Sequence, residues 1–404
     1  MAQNDVKAQY EVYPYPERDP ADETKRLIIG SPSWLPEMDH WLWGGARDWS
    51  VPLRILVAGG GTGDGLIQLA QMLTVARRGY EITYIDLSVA ARAIAEKRAA
   101  IRGLKNIRFV TGSLLDAPEM GAFDYIDCCG VLHHLPDPQA GFNALADALA
   151  PGGGIGLMVY ATLGRFGVYA LQSAFGTLFK HLPPREKLAQ ARASFARIPD
   201  GHPFKRNPHL GDHKVGDAGF YDLLLHSSDR PYTITELLRA LGDAGLELAG
   251  MPEPALYDPA ELLPDGAELP PGLDTAGRMA LAENLRGTLR THIAYAVPHG
   301  ARMPPPTGKP QAIPHLKDVD PRRLAQSLAN KGYVRVTVGG DKVTVKLPKS
   351  AASLIAAIDG RRDLAAIQGG AGLDAIAFAA AWTPVEKALC RYGLLHYSTL
   401  LRGR

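Results

Sequence analysis

The chain has 404 residues, enough for more than one domain. Apolar residues make up 46% of it and charged residues 21%, a globular balance that argues against disordered or fibrous classes. A formal net charge of +2 offers no global case for nucleic acid, and three cysteines (Cys128, Cys129, Cys390) cannot build a disulfide framework, which points to a reducing cytoplasm.

The first residues, Met1-Ala-Gln-Asn-Asp-Val-Lys7, contain no apolar core of a secretory signal. Residues 1–50 read as an aromatic-rich arm that holds Trp34, Trp41, Trp43 and Trp49, four of the five tryptophans. Prolines stiffen Val12-Tyr-Pro-Tyr-Pro-Glu17. This arm is expected either to fold as a lid over a neighbouring site, with Tyr13 or Tyr15 near the reacting groups, or simply to pack on the core. Arg47 and Asp48 either orient a substrate carboxylate or pair at the surface.

From residue 51 the chain alternates apolar strands with helix-like stretches, which implies a parallel sheet with helices on both faces. The first strand, Leu53–Ala58, runs into Gly59-Gly-Gly-Thr-Gly63 and then a helix from Asp64. Glycine tolerates positive φ and has no Cβ, so this turn can lay its backbone against a ligand. The dinucleotide spacing G-x-G-x-x-G fails in every register, and no Gly-Lys-Ser/Thr follows. Asp64 at the helix start suits a cationic ligand better than a pyrophosphate. The second strand ends in Asp86, placed to bind ribose hydroxyls. A ribose, a cation and no phosphate together fit S-adenosylmethionine.

Over residues 51–160 the chain resembles the class I S-adenosylmethionine-dependent methyltransferases. Five motifs in order carry the likeness: Gly59–Gly63, Asp86, Asn106–Pro118, Phe123–Pro138 and Leu149–Gly154. The resemblance implies a Rossmann-like α/β fold with a seven-stranded, mostly parallel sheet, closed by an antiparallel pair at residues 246–251 and 292–297. It implies S-adenosyl-L-methionine as cofactor, held by Gly59, Gly60, Gly61, Gly63, Asp64, Asp86, Leu87, Ser113, Leu114, Gly130 and Val131. The chain departs from the family pattern at Val57 and Ser113, where acids are frequent. Asp116 is a substitute for the second.

Catalytic candidates are His133, which with His134 follows the fourth strand, Tyr13 and Tyr15 of the arm, and Tyr160 at the end of the fifth strand. The alternative for the histidine pair is capping and packing.

Residues 161–230 break the rhythm and read as a helical insertion that caps the substrate site. The apolar run Ile155–Phe179 is long enough to span a bilayer, but Arg165 interrupts it, and a buried strand followed by a helix is expected instead. His209-x-x-x-His213 has metal-like spacing without a convincing third ligand, so no metal is expected. The proline-rich stretch 298–321 reads as a linker. Beyond it, alternating strands around Gly339-Gly-Asp341 and several short helices suggest a small winged-helix-like domain, 322–404.

The expected function is methyl transfer to a small biosynthetic molecule or a protein side chain. Two alternatives are a catalytically silent cofactor-binding regulator and a nucleic-acid binder acting through the C-terminal domain. Homodimerisation is an equal explanation of that domain, and no membrane partner is expected.

Overall fold

The computed structural model describes residues 2–30, 32–264 and 266–403. Helices α1 (Ala2–Val12) and α2 (Leu35–Leu42) precede β1 (Leu53–Ala58), α3 (Asp64–Val75), β2 (Tyr80–Asp86), α4 (Val89–Ile101), β3 (Ile107–Thr111), β4 (Phe123–Cys129), α5 (Pro138–Asp147) and β5 (Leu149–Tyr160). Then come α6 (Val168–Phe179), α7 (Pro184–Ala196), α8 (Asp217–Leu225), α9 (Ile234–Asp243), β6 (Leu246–Gly250), α10 (Thr275–Arg286) and β7 (Thr291–Pro298).

The sheet order is β3-β2-β1-β4-β5-β7-β6. Strands β1 to β5 run parallel, whereas β7 is antiparallel to both β5 and β6. The antiparallel edge pair lies where the motif order puts it. Central strands such as β1 are apolar nearly throughout because helices cover both sheet faces. Leu56, Ile126 and Leu157 pack on one face, and Ile55, Val57, Tyr84 and Tyr125 on the other. Chain order reverses between β1 and β4, which opens a crevice at the carboxyl ends of these strands.

The run Ile155–Phe179 is divided between β5, a turn and the 12-residue α6. Among the described residues no helix is long and apolar enough to cross a membrane. Helices α6, α7 and α8 form a cap with its own small core of Val168, Phe175, Leu188, Phe220 and Leu224.

The C-terminal region comprises β8 (Pro314–Leu316), α11 (Pro321–Lys331), β9 (Tyr333–Val338), β10 (Asp341–Lys346), α12 (Ala352–Ala356), α13 (Leu364–Gly370), α14 (Ala375–Arg391) and β11 (Leu395–Tyr397). Three details differ from the sequence expectation. Residues 314–316 of the expected linker form a strand paired with β11, and Ala312 and Ile313 beside it are buried. Val338 pairs directly with Asp341, so the hairpin turn has two residues, Gly339 and Gly340, instead of three. Finally, α14 is one 17-residue helix through Pro384, longer than the short helices expected there. Proline forfeits one ladder bond, and the buried seam of Ala381, Trp382, Val385 and Leu389 holds the helix together across it.

Helix α2 ties this region to the sheet. Asp39 Oδ2 accepts from Ser398 Oγ (2.7 Å), Thr399 N (3.1 Å) and Trp49 Nε1 (3.0 Å). Glu37 accepts from Tyr295 on β7 (2.8 Å) and pairs with Lys317 (2.5 Å). Arg47 lies against the Trp43 and Trp49 rings and 3.8 Å from Asp124, so it pairs locally and takes no place in the cavity described below.

Candidate functional site

A cavity of about 480 Å³ occupies the crevice at the β1–β4 switch, within the range of small-molecule sites. At one end lie Gly59, Gly60, Gly61, Asp64, Asp86, Leu87, Ser113, Leu114, Gly130 and Val131. Gly63 does not line it: it precedes α3 and faces Ala95 of α4.

The glycine turn is shaped by contact. Gly61 has φ +52°, and a Cβ there would stand 2.8 Å from the Tyr15 carbonyl oxygen. The Asp86 carboxylate accepts from Gly61 N (2.8 Å) and Ser88 N (2.8 Å). Burial raises its carboxyl above the usual range, and these backbone donors offset part of that. Ser113 caps the following turn by accepting from Leu115 N (3.2 Å). Asp116 turns back to accept from Ser113 N (3.3 Å) and does not line the cavity.

Asp64 differs from its expected role. Arg18 grips it with three bonds (2.9 and 3.2 Å from Nε, 2.6 Å from Nη2), and Arg98 adds a fourth at 2.7 Å. Burial raises the Asp64 carboxyl, but the two arginines hold it below the usual range. Its charge is therefore matched within the protein, and it fastens the arm instead of selecting a cation. The same pairing occupies the arginines, which leaves them unsuited to clamp a phosphate.

The arm crosses the site. Thr62 Oγ1 donates to Pro16 O (2.7 Å), Ser88 Oγ to Tyr10 O (3.2 Å), and Glu11 accepts from Val89 N (2.6 Å) at the start of α4. Tyr10, Tyr15 and Tyr160 line the cavity. Tyr13 does not; its ring stacks on Tyr221 at 5.1 Å.

The far end is a network whose assembly the sequence reading missed, although it named Tyr160 and the pair His133 and His134. Asp222 of α8 is 3% exposed and accepts from Tyr10 (Oδ1, 3.0 Å) and Tyr160 (Oδ2, 3.2 Å). Tyr10 Oη also lies 3.1 Å from His226 Nε2, and Ser228 N donates to His226 Nδ1 (3.1 Å). A neutral His226 thus carries its proton on Nε2 and donates to Tyr10. His134 Nδ1 donates to the Ser228 carbonyl (2.8 Å). Burial raises the carboxyl of Asp222 and lowers the imidazole of His226. Of the histidine pair, His134 lines the cavity; His133 is buried behind it and accepts from Tyr160 N (3.3 Å).

His209 and His213 take no part. The His209 carbonyl accepts from Arg290 (2.6 Å), and His213 packs edge-on to Phe204. Instead, His134, Asp222 and His226 lie close enough to offer three ligand atoms, as do His133, His134 and Asp229. In the first trio the two imidazoles stack at 3.7 Å and 16°. Nearly parallel rings direct their in-plane lone pairs along lines that do not converge on one ion. A signal for Asp222 did exist: it is an acid inside Phe220-Tyr-Asp-Leu-Leu-Leu225, an otherwise apolar helix.

Residues 56–155 match the family described as methyltransferase domain. The ubiquinone biosynthesis O-methyltransferase of Azotobacter vinelandii is 30% identical over 170 residues, 39% of this chain and 70% of that protein. The chain belongs to the class I S-adenosylmethionine-dependent methyltransferase family. An uncharacterized protein of Synechococcus sp. is 33% identical over 269 residues, 64% of this chain and 62% of its own length. Several other ubiquinone biosynthesis O-methyltransferases are spanned over only 36–41% of their length. PKMT2 from Rickettsia typhi, solved in complex with AdoHcy, superposes with a TM-score of 0.63 over 92% of this chain and 77% of that one. At 13% identity this likeness is one of fold. Within the family, Asp86, Gly61 and the apolar wall at Leu87 and Leu114 are groups that fit an adenosyl ligand, and no lysine lines the turn.

Proposed function

We propose that the protein transfers a methyl group from S-adenosylmethionine to an acceptor that bears a proton on its nucleophilic atom. The observation that carries this reading is one continuous cavity running from the glycine turn and Asp86 to the buried Asp222. Asp86, Leu87, Ser113 and Leu114 would hold the adenosine, and Gly59, Gly60, Gly130 and Val131 the methionyl side. When bound, the cofactor supplies an electrophilic methyl group on a sulfonium.

The chain supplies alignment, dryness and a place for a proton. The arm, fastened by Arg18 on Asp64 and by Thr62 on Pro16, excludes water. Tyr10, Tyr15 and Tyr160 wall the acceptor space. Asp222 receives the acceptor's proton, because its raised carboxyl makes it a stronger base than an ordinary aspartate. A hydroxyl brings a proton for Asp222 to take, whereas an ionised acid brings none, so hydroxyl acceptors are favoured over acids. The O-methyltransferase names among the relatives support the same class.

The test has two steps. Calorimetry with S-adenosylhomocysteine should show uptake by the full chain. Incubation with methyl-labelled cofactor and a cell extract should then place label in a discrete fraction. Uptake without label in any fraction would favour a silent binder, and no uptake would overturn the reading.

A further inference from the structure

Strands β1 and β4 are hydrogen-bonded neighbours, and their register sets Val57 beside Asp127. Both side chains therefore leave the same sheet face at the same height, next to the glycine turn. Val57 stands where the family pattern often has an acid. The adjacent strand carries one.

Asp127 is 3% exposed, yet it lines the cavity together with Gly30, Gly59, Gly65 and Cys129. Among the described residues its carboxylate takes one hydrogen bond, from the Ser33 hydroxyl, and no Lys, Arg or His lies within ion-pair distance. The nearby arginines are spent elsewhere: Arg18 on Asp64, and Arg98 on Asp64 and Glu23. Room for the carboxylate is made by Gly65, where a Cβ would stand 2.6 Å from Asp127 Oδ2. A buried carboxylate that meets no cation in the protein is costly to keep. Its position at the cavity wall suggests that the cation arrives with a ligand.

The strand order supplies the direction. A nucleoside whose ribose rests on Asp86 of β2 has β1, and then β4, on its other side. We propose that Asp127 receives the α-ammonium group of the cofactor's amino-acid tail, so that β4 provides the anion that β1 lacks at Val57. This rests on the cofactor reading above. The opposing possibility is a structural one, in which Asp127 and Ser33 merely pin residues 32–34 to the sheet.

A binding cycle separates the two. The full chain and D127N would each be titrated by calorimetry with S-adenosylhomocysteine and with its des-amino analogue, which differs only in the ammonium. The wild type should prefer the amine by about tenfold to a hundredfold, the range of hydrogen bonds between charged groups. In D127N that preference should collapse to about twofold or less, with the des-amino affinity unchanged. A preference that survives in D127N, or an equal loss for both ligands, overturns the assignment. If D127N does not fold, S33A serves, because it removes the hydroxyl that orients the carboxylate; it should narrow the preference severalfold, and an unchanged preference overturns the assignment. A wild-type chain that binds neither ligand overturns the proposed function itself, whereas binding without ammonium preference overturns only the role of Asp127.

Discussion

The two ends of the cavity are built on different plans. At the glycine turn, main-chain groups and nearby loops do most of the holding: Asp86 is fixed by two backbone N–H groups, and Asp64 is neutralised by two arginines. At the far end nothing is local. Tyr10 comes from α1, His134 from the turn after β4, Tyr160 from β5, and Asp222 from the cap helix α8. Among the described residues its acid takes its hydrogen bonds from two neutral hydroxyls, those of Tyr10 and Tyr160. A charge matched inside the protein contributes to structure; a charge left with neutral partners is available for chemistry. Asp222 and Asp127 belong to the second kind, Asp64 to the first.

Asp222→Asn should break this contrast most visibly. The amide keeps the shape but cannot take a proton, so methyl transfer should fall by about 10²- to 10⁴-fold. Affinity for S-adenosylhomocysteine, measured by calorimetry, should change by no more than about threefold. In the wild type, transfer should decline toward acid pH as Asp222 gains a proton. If D222N retains full turnover, the base lies elsewhere.

Arg98→Ala should have the opposite profile. Arg98 is fully buried between Glu23 and Asp64, and its removal leaves each carboxylate with a single arginine, Arg102 on Glu23 and Arg18 on Asp64. Denaturant unfolding should register a loss of about 3 kcal/mol, the lower end for a broken buried pair, because each carboxylate keeps one arginine. A loss below about 1 kcal/mol would mean that the arm is not held by this pairing.

Asp127→Asn separates binding from stability. Burial pushes the Asp127 carboxyl up to about 6 in the folded chain, above its unfolded value. The wild type therefore gives up stability as pH rises through 6, and recovers it fully only below the unfolded pKa. The amide has no such penalty. D127N without ligand should be more stable than wild type at pH 8 by up to ~3 kcal/mol, the equivalent of the carboxyl's displacement. The gap should close toward pH 4. A D127N chain that is less stable at pH 8 would mark Asp127 as a structural anchor.

These contrasts also explain what could be read before the structure. The glycine-turn end lies in one stretch, where Gly59–Gly61, Asp86 and Leu114 keep their order and spacing along the chain. Strand order and the antiparallel edge follow from the same rhythm. The acceptor end joins Tyr10 to Asp222 across 212 positions, and no local period records such a meeting. Asp127 was hidden for another reason: it compensates Val57 across strands, a relation visible only once register is known. The metal-like spacing of His209 and His213 has no regular helix behind it: His209 lies in a loop and His213 in the three-residue turn Asp212–Lys214.

The smallest predicted effect tests the arm. Tyr13 and Tyr15 are two residues apart in the same proline-stiffened run, and the sequence offers no reason to separate them. The structure does: Tyr15 lines the cavity beside Gly61, whereas Tyr13 stacks on Tyr221 of the cap. Removing a hydroxyl from the cavity wall alters its polarity, while the same change on a stacked outer ring leaves the stacking intact. Tyr15→Phe should shift S-adenosylhomocysteine affinity or turnover by about two- to tenfold, the range for one neutral hydrogen bond. Tyr13→Phe should change either by less than about twofold on the same scale. Equal effects from the two would mean that the arm acts on the site as a whole, through its docking, and that the position of the individual hydroxyl is immaterial.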